Sequence, residues 1–285
     1  MSSKMPSLTR RDLPYDLSHA VERLSLGFSW ETPLNPETMR ELAALGPIVD
    51  SDLPRRFEVS TSEGEANFHQ CGPETSGLPE GANLFALMFD DNADDDGPVD
   101  VKHTEIVINE DGMFFTVLGR YDGWEITRKR AKKLCDVFLK HTFLRTGLSA
   151  VEVRVNNLFF LDNFSSELSS LLNKGSDSLP GKIFSAKGYW HVNEGYYVEH
   201  ADPDMSKLLV NLSVSKANIF NEEVLGVRTI HRFDTENTDL NYFDIDRIFE
   251  KFNHLHAVNK KLLKSLLSDT ISDALDLFPK ERNES

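Results

Sequence analysis

The stretch Phe114–Phe160, FFTVLGRYDGWEITRKRAKKLCDVFLKHTFLRTGLSAVEVRVNNLFF, decides how this chain is read. It runs strand, tight turn, amphipathic helix, strand. The turn is Gly119-Arg120-Tyr121-Asp122-Gly123, and Asp122 is expected to cap the helix with Glu125 as its capping-box partner. From Trp124 to His141 the helix carries Trp124, Ala131, Leu134, Cys135 and Phe138 on one stripe, while Lys129, Lys132, Lys133 and Lys140 lie away from it. Nine of the 31 lysines and arginines fall in this segment, which makes it a basic island in an acidic chain. Val151–Phe160 reads as the strand that follows.

Upstream, Ala20–Trp30 alternates Val21, Leu24, Leu26, Phe28 and Trp30 against polar neighbours for most of its length and reads as a strand. A short helix follows in which Asn35 caps, Pro36 takes the first helical position and Gly46 stops the run. Phe57–Ser62 and Asn83–Phe89 read as strands, with Thr61–Gly81 a polar exposed loop rich in Gly, Pro, Ser and Glu. His103–Asn109 and Met113–Arg120 form a hairpin through Glu110-Asp111-Gly112.

Downstream, strands are expected at Lys182–Tyr189, Gly195–Glu199, Lys207–Lys216 and Val227–Asp234. A long amphipathic helix then starts near Asp244 or Asp246 and runs toward Leu277. A meander of antiparallel strands needs a cover for one face, and one long helix per half supplies it. The pattern predicts an α+β protein of two pseudo-repeated halves, each a twisted antiparallel sheet covered by a long amphipathic helix. Residues 1–16 would be a flexible leader, 17–164 the first half, 165–181 a linker, and 182–285 the second half with its C-terminal helix.

A net charge of −15 argues against general nucleic-acid binding, which needs a cationic footprint. Solubility accounts for that charge, and attraction to a basic partner surface is the sharper alternative. No run of about 18 apolar residues offers a membrane span. MSSKMPSLTRRDLP lacks the apolar stretch of a secretory signal, and Cys71 and Cys135 stand apart without CxxC neighbours. A cytoplasmic protein with two reduced thiols is expected.

No GxSxG, GxxxxGK[ST] or GxGxxG element is present, and Cys135 on the apolar stripe would be inert. Asn92, Asp94, Asp96 and Gly97 match the first, third, fifth and sixth positions of a calcium loop. The twelfth is His103, however, so a solvated hairpin tip is expected. His191, Glu194, Glu199, His200, Asp202 and Asp204 form the densest group of potential ligands, within a segment that reads as a hairpin with a polar tip. His191 and His200 are its metal candidates if neighbouring strands face them together; otherwise the group is a hydrated sheet edge. No cofactor is expected. Arg128, Lys129, Arg130, Lys132 and Lys133 form the basic block, either the solvated face of a helix or a docking surface for an acidic partner. Tyr121, Trp124, Arg154 and Asn156 either tie the helix N-terminus to the sheet or line a ligand pocket.

These elements resemble a sporadically distributed family of bacterial proteins of uncharacterised function. AVERLSLGFSW, PLNPETMRELAAL and Asp52-Leu53-Pro54 follow its N-terminal order, and Tyr121, Trp124 and Glu125 match its Tyr–x–x–Trp–Glu turn. Asp244-Ile245-Asp246, Phe252 and Leu255-His256 match its C-terminal pattern, while GLSAVEVRVNN departs from its "GLRYIN"-like strand. The resemblance implies no catalytic residues, and the family's patchy distribution implies accessory genes such as phage-defence or toxin–antitoxin cassettes. The leading expectation is a non-enzymatic cytoplasmic protein that binds another macromolecule, with a protein the expected partner. The alternatives are an enzyme or small-ligand binder with its site between the halves, and nucleic-acid docking through the basic helix.

Overall fold

Alternation along β1 (Val21–Trp30) sets the two faces of the fold: Leu24, Leu26, Phe28 and Trp30 are buried on one side, with Ser25, Gly27 and Ser29 on the other. The computed structural model describes residues 21–49, 51–62, 65–71, 78–79, 82–91, 103–119, 121–161, 168–198, 207–219, 222–235 and 244–275. After β1 come α1 (Pro36–Ala43), α2 (Gly46–Val49), β2 (Arg55–Ser62), β3 (Glu65–Gln70), β4 (Leu84–Asp90), β5 (His103–Asn109) and β6 (Gly112–Leu118). Then follow α3 (Trp124–Phe143), β7 (Leu148–Phe160), β8 (Trp190–Val198), β9 (Leu208–Ile219), β10 (Glu222–Asp234), α4 (Ile245–Leu266) and α5 (Asp269–Ala274).

The ten strands form one antiparallel sheet in the order β3-β2-β4-β5-β6-β1-β7-β10-β9-β8. The sequence pattern divides them between two sheets. The structure joins them through the ladder of β7 with β10, from Val224↔Phe160 to Asp234↔Ala150. Both strands are unusually long, at 13 residues each, which leaves β7 enough edge to pair β1 on one side and β10 on the other.

The helices cover a single face. Phe28 of β1 meets Phe249 and Phe252 of α4 at ring-centroid distances of 6.4 and 5.1 Å, and Phe89 of β4 meets Phe138 of α3 at 4.9 Å. Thus α4 reaches past the second half and packs on β1 as well as on β7 and β10. The buried stripe of α3 contains Ala131, Leu134, Cys135 and Phe138, as its periodicity predicts. Cys135 is fully buried there, which pushes its thiol pKa up and leaves it inert.

Local chemistry explains most element ends. The Asn35 side chain accepts the Thr38 N–H at 2.8 Å with Pro36 behind it, and the Asp244 carboxylate accepts the N–H groups of Asp246 and Arg247. At α3 the expected cap is wrong: Gly123, at φ 95°, occupies the cap position and no side chain caps the helix. That left-handed backbone turns the chain sharply out of β6, a geometry glycine adopts without strain. The C-terminal helix also stops early, because Leu267 is extended and bridges Leu172 before Ser268 caps α5.

Three further expectations are corrected. Glu65–Gln70 lies within the polar stretch read as a loop but forms the edge strand β3. Gly181–Ser185 is a short 3-10 turn where a strand was expected. Trp190–Val198 is one continuous strand, so no hairpin tip lies between His191 and Val198. The acidic turn at 92–97, the leader, His200 and the segment beyond 275 lie outside the described residues.

Candidate functional site

Of the residues singled out by sequence, the basic block is largely occupied by this chain's own acids. Arg128 pairs with Glu125 at 2.9 Å, Arg130 with Asp91 at 2.7 Å, Lys133 with Asp52 at 2.7 Å, and Lys132 with Asp246 at the start of α4. Lys129 is exposed on the outer surface of α3. Burial alone would push the Asp91 carboxyl up. Contacts from His103, the Thr104 N–H and Arg130 outweigh it and bring the pKa down to about 2. These pairs bolt α3 to β4, to the turn before β2 and to α4. They also give four of the five cations of the block acidic partners within the chain.

Trp124 belongs to the seam between α3 and α4. Its indole N–H donates to Asn253 Oδ1 at 2.8 Å, and its ring stacks on His256 with centroids 4.2 Å apart and planes 3° from parallel. Tyr121 packs beside it against the core, and burial raises its phenol pKa. Between α4 and β10, Asn259 Oδ1 accepts from the Thr229 hydroxyl at 2.7 Å and lies 3.3 Å from His231 Nε2. Burial lowers the pKa of His231 to about 4; burial, with Lys260, does the same to His256. Together these contacts clamp α4 to α3 and to β10. Trp124→Phe should keep the stack and lose the hydrogen bond, lowering stability by about 1 kcal/mol in urea titration.

Arg154 and Asn156 lie elsewhere. Their neighbours Val153 and Val155 face the helices, so by strand alternation both point to the uncovered face of the sheet. The structure does not bring them together with Tyr121 and Trp124, because the sheet lies between the two groups of side chains. On the uncovered face, Arg154 pairs with Glu152 and lies 4.6 Å from the centroid of the Phe114 ring. Gly27 sits beneath them: a Cβ there would come within 2.6 Å of both Glu152 Cγ and Phe114 Cε1.

Register extends this into lateral rows. One row reads Gly195, Asn211, Ile230, Arg154, Ser25, Thr116, crossing β8 to β6. Its neighbour reads Asn193, Ser213, Arg228, Asn156, Arg23, Leu118. A hollow of about 430 Å³ opens over β8–β10, lined by Asn193, Glu194, Asn211, Ser213 and Arg228 among others. Sequence reading missed Arg23 and Arg228. Each has a polar residue on one side, Glu22 or Thr229, so local alternation does not single them out, and their grouping is visible only once those strands are known to be neighbours.

The outer edge of β8 is the third feature. Among the described residues this strand pairs only with β9. Tyr189 and Tyr197 are 64% and 65% exposed on or beside it, and His191 is exposed without a second ligand. No group of three or more His, Cys, Asp or Glu side chains suited to a metal occurs among the described residues. No described helix is long and apolar enough to cross a membrane. A larger cavity, about 630 Å³, lies between α1 and β4 and is lined by Met39, Arg40, Glu58 and Phe85 among others.

No family model matches the chain, and no curated protein matches it. Two solved structures show distant likeness. One is the toxic C-terminal tip of CdiA from Pseudomonas aeruginosa in complex with its immune protein. It shares 16% identity over 47% of this chain and 86% of that one, at a TM-score of 0.21. The other is the di-domain ARO/CYC StfQ from the steffimycin biosynthetic pathway, with 9% identity over 89% of this chain and 97% of that one, also at 0.21. Likeness at this level carries no argument about fold or function.

Proposed function

We propose that the chain is a non-enzymatic binding protein whose partner is another protein, and that the partner adds an extended segment along the outer edge of β8. The observation that supports this is β8 itself. A nine-residue edge strand presents a row of main-chain donors and acceptors, and such edges are normally blunted by proline, lysine or bulges. WHVNEGYYV contains none of these residues, its ladder with β9 is unbroken, and exposed tyrosines flank it. Strand addition gains affinity from the backbone and selectivity from the flanking side chains. The acidic balance of the chain favours a basic partner by electrostatic steering.

On this reading the two halves keep distinct tasks. Seven contiguous strands with α3 form a scaffold, and β8–β10 with α4 form the receiving end. A role within a defence or toxin–antitoxin cassette accords with the family resemblance. The test is purification of the chain together with the products of its neighbouring genes at physiological salt, beside a Tyr189→Lys/Tyr197→Lys variant. A co-eluting partner should bind the variant at least tenfold more weakly. The absence of any co-eluting protein, or equal binding by the variant, removes the proposal.

A further inference from the structure

We infer that the uncovered sheet face carries a binding site for a phosphate-type oxyanion, centred on Asn156 and gripped by Arg23 and Arg228. In the ladders, Asn156 of β7 lies directly opposite Arg23 of β1 on one side and Arg228 of β10 on the other. Directly opposed side chains stand about 5 Å apart at Cβ, which places the two arginine stems roughly 10 Å apart with the amide between them. Arg154 is two residues from Asn156 on the same face. Two arginine stems thus flank one carboxamide within two strand spacings, while the Arg154 guanidinium is turned away to Glu152 and Phe114.

The pairing state of these groups sets the site apart from the rest of the face. Ser25 is hydrogen-bonded to Thr116 at 3.1 Å, Arg232 is paired with Asp234 at 2.8 Å, and Arg154 is held by Glu152. Arg23 and Arg228 have no salt bridge and no hydrogen bond among the described residues, and Asn156 has no hydrogen-bond partner there. Glu105, two strands from Arg23, is the acid that feels its charge. A chain with 46 acidic residues has not placed one opposite either arginine. An anion held between the two exposed arginines would meet both charges at once, and guanidinium groups bind phosphate-type oxygens in bidentate fashion.

The hollow over β8–β10 begins at Arg228 and continues through Ser213, Asn193 and Asn211. None of these side chains has a hydrogen-bond partner among the described residues. Gly195 keeps the hollow open, since a Cβ there would press on Asn211 Oδ1 at 2.7 Å. Amides and a hydroxyl beside an arginine suit a hydroxyl-bearing carrier of the oxyanion. The net charge of −15 does not forbid such a site, because screening confines distant charges to about 8–10 Å at physiological ionic strength.

Inorganic pyrophosphate is the probe, titrated calorimetrically into the full chain. Saturable one-site binding is expected, at least tenfold weaker in Arg23→Gln and in Arg228→Gln and unchanged in Lys129→Gln on α3. Asn156→Asp gives a second readout: an internal carboxylate between the arginines should abolish binding and raise the melting temperature. Three results overturn the assignment: no saturable binding, wild-type affinity in both arginine variants, or equal weakening by Lys129→Gln. Binding of a single-stranded oligonucleotide that pyrophosphate does not displace also overturns it, in favour of a nucleic-acid surface.

Discussion

Phe252→Ala is expected to lower the stability of the whole chain by about 3–5 kcal/mol, within a single unfolding transition. Phe252 is fully buried, packing edge-on against Phe28 of β1 at 5.1 Å and beside Phe249 at 5.3 Å. Truncation removes the ring and leaves a cavity between α4 and the middle of the sheet, where neither side can collapse freely. Because α4 contacts β1, β7 and β10, the loss is felt on both sides of the β7–β10 ladder. Urea titration followed by fluorescence and by circular dichroism should give one coincident midpoint shift. Two separated transitions would mean that the halves fold independently and that α4 does not unite them.

Acid should destabilise the protein well above the range where carboxylates titrate. His231 is fully buried and its folded pKa is depressed to about 4 from 6.5. Between these values the unfolded chain takes up a proton that the folded chain refuses, so stability falls as pH drops from 6.5 toward 4. At about 1.4 kcal/mol per unit, His231 alone withdraws about 2 kcal/mol between pH 7 and pH 5. His256, shifted the same way by burial and Lys260, adds to the slope. Asp91 with its pKa near 2 contributes only below about pH 4, and so does not confuse this window. In His231→Gln the decline measured by urea titration should flatten by about that amount; an unchanged slope would show that His231 is not kept neutral by its surroundings.

Strands with one apolar face were legible in the sequence, as were helices with caps. The periodicity of β1, β5 and β6, the Asn35 cap, the start of the last long helix near Asp244, and the stripe of α3 all describe local chemistry, and the structure follows them. β3 was hidden because none of its residues is buried. β8 was misread for a related reason: as an edge strand it buries its apolar side only partly, at Trp190, Val192 and Val198, and leaves Tyr196 and Tyr197 both exposed. The union of the sheet was beyond reach. The β7–β10 ladder joins residues 64 to 84 positions apart, and no local signal encodes that partner choice.

The site divides along the same line. Arg154 and Asn156 stood out as polar residues on a strongly apolar strand, and Trp124 as an aromatic at a helix start. Their grouping failed because strand parity, which puts Arg154 on the face opposite Trp124, matters more than closeness along the chain. The partners of Asn156 come from residues 23 and 228, which only register brings together.

The central claim is that function resides on the uncovered face and the β8 edge, while the basic helix is structural. Hydrogen exchange read by mass spectrometry, on the chain alone and bound to the protein with which it co-purifies, tests this most directly. The account predicts slowed exchange in peptides spanning 190–198 and 208–219, with 124–143 unchanged. Protection of 124–143 with 190–198 left unchanged would contradict it and return the binding surface to α3.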